Sequence, residues 1–206
     1  MTSGWEPPRG RLRFDGWIAG IGTASGTRVV VGHWTASPFG PFSDVMVEDP
    51  DGERLLLAPT GRTADFIAGT YCFDRVRVTP VGVARGAAHW RVTAGPLDLR
   101  FRTGRRGGLG LLLRAVPGAV AARPGWTVVT DPLARLLLGV RTRGTAGGGR
   151  REWYGVRDLH AVTAVTAVLD GRDLGPLAPV TPVRFGFGST PRRPSLVRVT
   201  TTVGTG

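Results

Sequence analysis

The stretch SPFGPFSDVMVEDPDGERLLLAP (residues 37–59) holds two strands and the bends that frame them. Pro38, Gly40 and Pro41 turn the chain, and SDVMVE then reads as a strand because its β-branched valines alternate with other residues. In the DPDG that follows, Pro50 presets φ and Gly52 accepts positive φ, so ERLLLAP returns alongside SDVMVE as a hairpin. Parity along the first strand sets Asp44, Met46 and Glu48 on one face and Val45 and Val47 on the other. If the valines face a core, Asp44 points outward, unless the sheet is covered on both sides.

The same turn chemistry recurs on either side. RLRFDGWIAGIG, TASG and TRVVVGHW form a strand, a turn and a strand, with Val29–Val31 a β-branched run. TADFIAGTY reads as a short helix capped by Thr60 or Thr63. DRVRVTPVGV alternates like a half-buried strand, and HWRVTAGPLDLRFRTG like a hairpin turning at AGP. Residues 107–126 read as one or two apolar helices, and TDPLARLLLG as a clearer helix with Pro132 near its start and Gly139 as its stop. VRFGFGS and LVRVTTTV close the chain as strands. The expected fold class is mainly β with a few short helices, as an antiparallel barrel or a curved, cone-like sheet. The 206 residues suit a single β-rich domain (residues 1–206) with a helical insert at 105–139.

Composition narrows the chemistry. The chain contains no lysine, asparagine or glutamine, so all 27 basic side chains are arginine and the net charge is +12. With no side-chain amine, lysine-imine chemistry and a P-loop lysine are excluded. A surplus of this size favours encounter with polyanions. The arginines, however, are dispersed singly or in pairs, which argues against a nucleic-acid interface. No apolar run approaches the ~20 residues of a membrane-spanning helix, and MTSGWEPPRGRLRF lacks a signal peptide's apolar core. A soluble cytoplasmic protein is expected, without cofactor or metal. The glycines of GIGTASG miss the dinucleotide fingerprint by one residue, and His33, His89 and His160 have no metal-ligand spacing.

One run stands out as a candidate site. If REWYGVRDLH is extended, Glu152, Tyr154, Val156, Asp158 and His160 share one face, successive members about 6.5–7 Å apart. Two carboxyls, a phenol and an imidazole on one face suit a polar ligand or acid/base work. A solvated face opposite a core-facing Trp153 is the alternative. In VRFGFGS, Phe185 and Phe187 share one face after Arg184. No serine lies in a nucleophile motif; Ser37, Ser189 and Ser195 sit beside prolines.

SPFGPFSDVMVE resembles the S-P-x-G-P-Y-x-E-x segment of the acetoacetate decarboxylase-like family. The similarity extends over about residues 37–78 in its order of turn, strand, short helix and strand. The resemblance implies a cone-shaped β pocket, with Asp44 at the place of the family's pocket acid, one methylene shorter. At the place of the Schiff-base lysine the chain has Phe73, Asp74 and Arg75. Imine-forming decarboxylation is thereby excluded, since arginine stays protonated and delocalised.

These observations lead to a β-barrel that binds a small, anionic organic molecule without Schiff-base chemistry. Asp44, Glu152, Tyr154, His160 and Arg184 are its candidate ligand-binding residues. An acid/base enzyme of the hydratase, cyclase or isomerase type is the alternative, with a basic interaction module as a third class.

Overall fold

The structure, a computed structural model, describes residues 10–108, 110, 111, 143–145, 149–186 and 191–205. In chain order these residues form β1 (Gly10–Thr23), β2 (Arg28–Ala36), β3 (Phe42–Glu48), β4 (Arg54–Ala58) and helix α1 (Gly61–Ala68). Then come β5 (Arg75–Val78), β6 (Val81–Arg85), β7 (His89–Ala94), β8 (Leu97–Thr103) and β9 (Arg143–Thr145). The chain ends with β10 (Arg151–Leu169), β11 (Arg172–Asp173), β12 (Leu177–Ala178) and β13 (Ser195–Thr205). The expected helical insert at 105–139 lies almost wholly outside the described residues, as do Phe187 and Ser189. Among the described residues no helix is long and apolar enough to cross a membrane.

The strands pair in the order β5-β4-β3-β2-β1-β13-β10-β8-β7-β6, with β9 and β11 on β10 and β12 on β1. The mainly β expectation holds, and of its two forms the curved sheet is observed: β5 and β6 end the order without pairing with each other. The hairpin turns fall where the proline and glycine signals put them. Gly52, at φ +92°, adopts a conformation in the DPDG turn that disfavours any side chain. Thr60 caps α1 through a reciprocal bond pattern with Thr63. DRVRVTPVGV departs from the expected single half-buried strand. Pro80, which has no N–H to donate, separates β5 from β6. The two halves then go to opposite ends of the sheet, β5 parallel to β4 and β6 antiparallel to β7. Val76 and Val78 are left about half exposed on that edge strand.

The sheet curls so that its two halves share a core. Ile21, Val29, Val31, Val45 and Val47 pack against Trp90, Val92, Leu99 and Phe101 of the β7–β8 hairpin, all essentially buried. Each such side chain contributes roughly 1.5–3 kcal/mol relative to exposure. The opposite face of β1–β3 is also covered. Phe14 packs there with Phe66 and Ile67 of α1, and a segment around residues 183–186 crosses over it.

A buried acid anchors that crossing segment, which also accepts the Cys72 N–H at the Phe185 carbonyl. Glu48 is fully buried at the end of β3, accepts the Arg184 backbone N–H at 2.7 Å and its Nε–H at 2.8 Å, and pairs with Arg28 at 3.1 Å. Arg28 in turn donates to the Thr181 hydroxyl and to the Asp49 carbonyl. Removing the carboxylate leaves the Arg28 guanidinium largely buried and without its counter-charge. Glu48→Ala is therefore expected to cost about 3–5 kcal/mol, read as a lower urea midpoint with an unchanged slope; a loss below 1 kcal/mol contradicts this role.

Candidate functional site

The inner face of β3-β2-β1-β13-β10 can be followed row by row through the register. Asp44 lies beside Gly32, which lies beside Ile18, then Val197 and then Leu159. One row on, Phe42, Trp34, Gly16, Val199 and Val156 align. Beyond them come Phe14, Thr201 and Tyr154, and then Leu12, Val203 and Glu152. Most of these side chains line a single cavity of about 140 Å³.

Asp44 is inside. The sheet is covered on both faces, so Val45 and Val47 meet the core while Asp44 and Met46 face the cavity. The preceding bend positions it: Gly40 at φ +80° and the Ser37 hydroxyl, which accepts the Phe39 N–H, turn the chain into β3. Phe39 and Phe42 then join Phe14 and Phe66 in an aromatic cluster at the cavity wall, with ring centroids 5.0–6.4 Å apart. Among the described residues, Asp44 accepts one hydrogen bond, from Trp34 Nε1–H at 3.0 Å. A Cβ at Gly32 would stand 2.5 Å from Asp44 Oδ1 and 2.8 Å from Trp34 Nε1, so glycine there makes the contact possible. Burial raises the Asp44 carboxyl from 3.8 to about 7, against which the Trp34 bond works.

The second polar group gathers around Glu152, which is 1% exposed. Tyr71 O–H donates to its carboxylate at 2.8 Å, Tyr154 O–H donates at 3.1 Å, and the two phenol oxygens lie 2.9 Å apart. Burial raises the Glu152 carboxyl to about 7, opposed by the two phenols and by the Arg150 charge. The Tyr71 phenol is held well above its ordinary value, by burial first and then by the Glu152 charge, so it stays a donor. Arg150 stands outside the cavity wall, bonded to the Phe66 carbonyl with its guanidinium 4.9 Å over the Phe66 ring.

Asp158 and His160 part from Glu152 and Tyr154. The β10–β13 register shifts between Val156 and Asp158, a β-bulge that inverts strand parity. Before it, Glu152, Tyr154 and Val156 face the cavity; after it, Leu159 does. Asp158 instead accepts from Arg106 Nε at 3.0 Å, and His160 lies 3.3 Å from Asp158 and from the Gly104 carbonyl, away from the cavity. Arg184 is the Glu48 partner and does not line the cavity. Of the five sequence candidates, Asp44, Glu152 and Tyr154 therefore share one space.

Tyr71, Trp34 and Thr201 are missing from the sequence candidates, and Ser195 is set aside there for want of a nucleophile motif. Tyr71 had one signal: it is half of a set of two tyrosines, and both meet at Glu152. Ser195 and Thr201 face the cavity from β13, 4% exposed each, and their hydroxyls have no hydrogen-bond partner among the described residues. No basic side chain lines the described wall. Arginines stand on other faces, as with Arg91, Arg100 and Arg102 on the exposed side of β7–β8, where Asp98 pairs with the first two. No group of three metal-ligating side chains occurs among the described residues.

No family model and no curated protein sequence matches this chain. Solved structures that resemble it in part include the following two. An acetoacetate decarboxylase from Legionella pneumophila aligns over 99% of this chain and 90% of its own, at a TM-score of 0.49 and 11% identity. An AttH-type protein from Nitrosomonas europaea aligns over 99% of this chain and 57% of its own, at a TM-score of 0.36 and 13% identity. Neither likeness assigns a residue role. At the place where the resemblance sets a lysine, Asp74 pairs with Arg54 at 2.8 Å and Arg75 with Glu53 at 3.0 Å, both outside the cavity.

Two carboxyls raised toward 7 in the folded chain fix the sign of a pH effect. The unfolded chain gives up these protons first, so their contribution to stability is greatest at low pH and falls as pH rises from about 4 to about 7. Asp15, Asp74, Asp98 and Asp158, all lowered in the folded chain, act in the opposite sense below about 4, in a separate window. Asp44→Asn keeps an acceptor for Trp34 and removes the charge. It is expected to raise the melting temperature at pH 8 by several degrees and to leave it nearly unchanged at pH 4. Equal shifts at both pH values in thermal scans would contradict the assignment.

Proposed function

We propose that this protein binds a small, uncharged, largely apolar organic molecule through one or two of its oxygen atoms. The observation that carries this reading is the pair of buried hydroxyls, Ser195 and Thr201, aimed into the cavity without partners among the described residues. A buried hydroxyl left unbonded costs roughly 1–3 kcal/mol, a cost a ligand oxygen would relieve. Size supports the same reading. A dry apolar cavity of about 150 Å³ accommodates benzene, so 140 Å³ suits a compact ring or short branched chain.

Charge supports a neutral ligand over an anionic one. The arginine surplus suggested an anionic ligand, but the described wall has no cation to receive one, and its ionisable groups include two carboxyls. An anion would enter an apolar space already holding acids, with its desolvation uncompensated. A neutral carbonyl or hydroxyl compound meets phenols, hydroxyls and protonated carboxyls instead. Acid/base chemistry is a second reading, favoured by one observation: Asp44 and Glu152 open onto the same cavity.

Cyclohexanone, cyclohexanol and cyclobutanecarboxylate, equal in their number of non-hydrogen atoms, separate these classes in thermal-shift titrations at pH 6, where the two cavity carboxyls are largely protonated and the added acid is ionised. The ketone and alcohol are expected to raise the melting temperature and the carboxylate to leave it unmoved; stabilisation by the carboxylate alone overturns the reading. Thr201→Val adds a test in which stability and binding move apart. It is expected to stabilise the ligand-free protein by about 1 kcal/mol, by removing an unbonded hydroxyl, and to weaken ketone binding several-fold. A variant that is less stable and binds as well as the parent contradicts the assignment of this hydroxyl.

A further inference from the structure

We infer that the outer face of β1, β13 and β10, on the far side of the sheet from the cavity, binds a single strand of nucleic acid. This surface is independent of the cavity and of what the cavity holds.

The sequence spreads its arginines singly and in pairs, and on strands that spacing gathers them, because alternate residues share a face. Phe14 of β1 and Glu152 and Tyr154 of β10 face the cavity, so Arg11, Arg13, Arg151, Trp153 and Arg157 face the other way. Register joins them across β13. Arg11, Gly204 and Arg151 form one row, Arg13, Thr202 and Trp153 the next, and Trp17 lies beside Arg198 further along. Contacts show that the face is shared. The Arg11 guanidinium stands 5.7 Å from the centre of the Trp153 ring and that of Arg198 5.7 Å from the centre of Trp17. Asp15 pairs with Arg13 at 2.9 Å and with Arg157 at 3.8 Å.

Charge and spacing select the partner. Among the described residues these arginines meet one accessible carboxylate, Asp15; Asp158, at the margin, is buried and taken by Arg106 and His160. Arg11, Arg151 and Arg198 are exposed and have no carboxylate within salt-bridge distance among the described residues. Arg11 and Arg151 lie two strands apart, about 10 Å, and Arg198 lies six residues along β13 from their row, about 20 Å. One small anion cannot reach all three. A chain of phosphates can, and the guanidinium fork matches each phosphate. The face also offers planar groups. Gly204 leaves room for Trp153, since a Cβ there would stand 3.3 Å from the ring. The partly exposed indole with Arg11 against it is a surface of the kind on which unpaired bases stack, which a duplex does not supply. A bilayer fits less well, because Trp153 is only partly exposed and Trp17 is packed on Trp90, so neither indole stands out to insert.

The test uses the full chain and a fluorescein-labelled oligothymidylate, followed by fluorescence anisotropy at rising salt. The slope of log affinity against log salt is expected to be about −2 to −3.5, for three to five phosphates neutralised on a single strand. Arg11→Ala, Arg151→Ala and Arg198→Ala are each expected to weaken binding and to flatten the slope by about 0.7. Trp153→Leu is expected to weaken binding by about fivefold or more with the slope kept. Trp153→Phe, which keeps a ring, is expected to bind nearly as the parent does; a loss as large as that of Trp153→Leu contradicts stacking at this position. Arg77→Ala and Arg102→Ala remove exposed guanidiniums on other strands and lower the net charge equally, so they control for the +12 of the whole chain. They are expected to leave affinity and slope unchanged. Equal losses in both sets of arginine variants overturn the inference in favour of overall charge. Tighter binding to the duplex with oligoadenylate, or to phosphatidylserine vesicles at the same salt, also overturns it, as does an oligothymidylate that fails to bind at low salt.

Discussion

Burial of both faces of β3, and of the parts of β2 and β1 that pair beside it, is the constraint on which the rest of the structure depends. One face packs against β7 and β8, and the other is roofed by α1 and the segment around residues 183–186. A strand with one wet face has somewhere to put its polar residues. These stretches do not, so each polar side chain that they turn toward the cavity is desolvated and needs either a partner or a use. Glu48 shows the first solution, fully buried and matched by two arginines. Asp44, with a single donor among the described residues, and Ser195 and Thr201, unbonded there, show the second.

Local sequence signals of turn and strand carried most of the fold, because each is settled over four to ten residues. Pro50-Gly52, the Thr60 cap and the Gly95-Pro96 turn needed no knowledge of distant partners. Pairing was less legible. DRVRVTPVGV has a strand's alternation at every position, yet Pro80 sends its halves to the two ends of the sheet, and only the completed strand order reveals that. The candidate site was legible in part for a related reason. Parity correctly put Glu152 and Tyr154 on one face, and it failed beyond Val156, where a bulge costs one residue of register and turns Asp158 and His160 away. Nothing in GVRDLH marks that bulge. Asp44 was judged outward by the same parity rule unless the sheet had two covers, and two covers are what the fold supplies.

Net charge was a poor guide to the cavity. A chain at +12 with 27 arginines invites the expectation of an anion site. Guanidinium groups are costly to bury without partners, however, and in this fold they collect on outer faces and in latches such as Arg184–Glu48 and Arg106–Asp158. The interior received the less numerous charge type. Of the fifteen acids, four are buried among the described residues, Asp44, Glu48, Glu152 and Asp158, and of these Glu48 and Asp158 are salt-bridged to arginines while Asp44 and Glu152, which line the cavity, are not.

The chemistry open to the cavity follows from what its wall lacks as much as from what it holds. A covalent mechanism needs an activated nucleophile. Ser195 has no histidine beside it among the described lining residues, and Cys72 is exposed. With lysine absent from the whole chain, the described polar wall consists of groups whose one capability is to hold, donate or accept a hydrogen: two carboxyls, two phenols, two hydroxyls and an indole N–H. Binding through oxygen and transferring a proton draw on the same atoms.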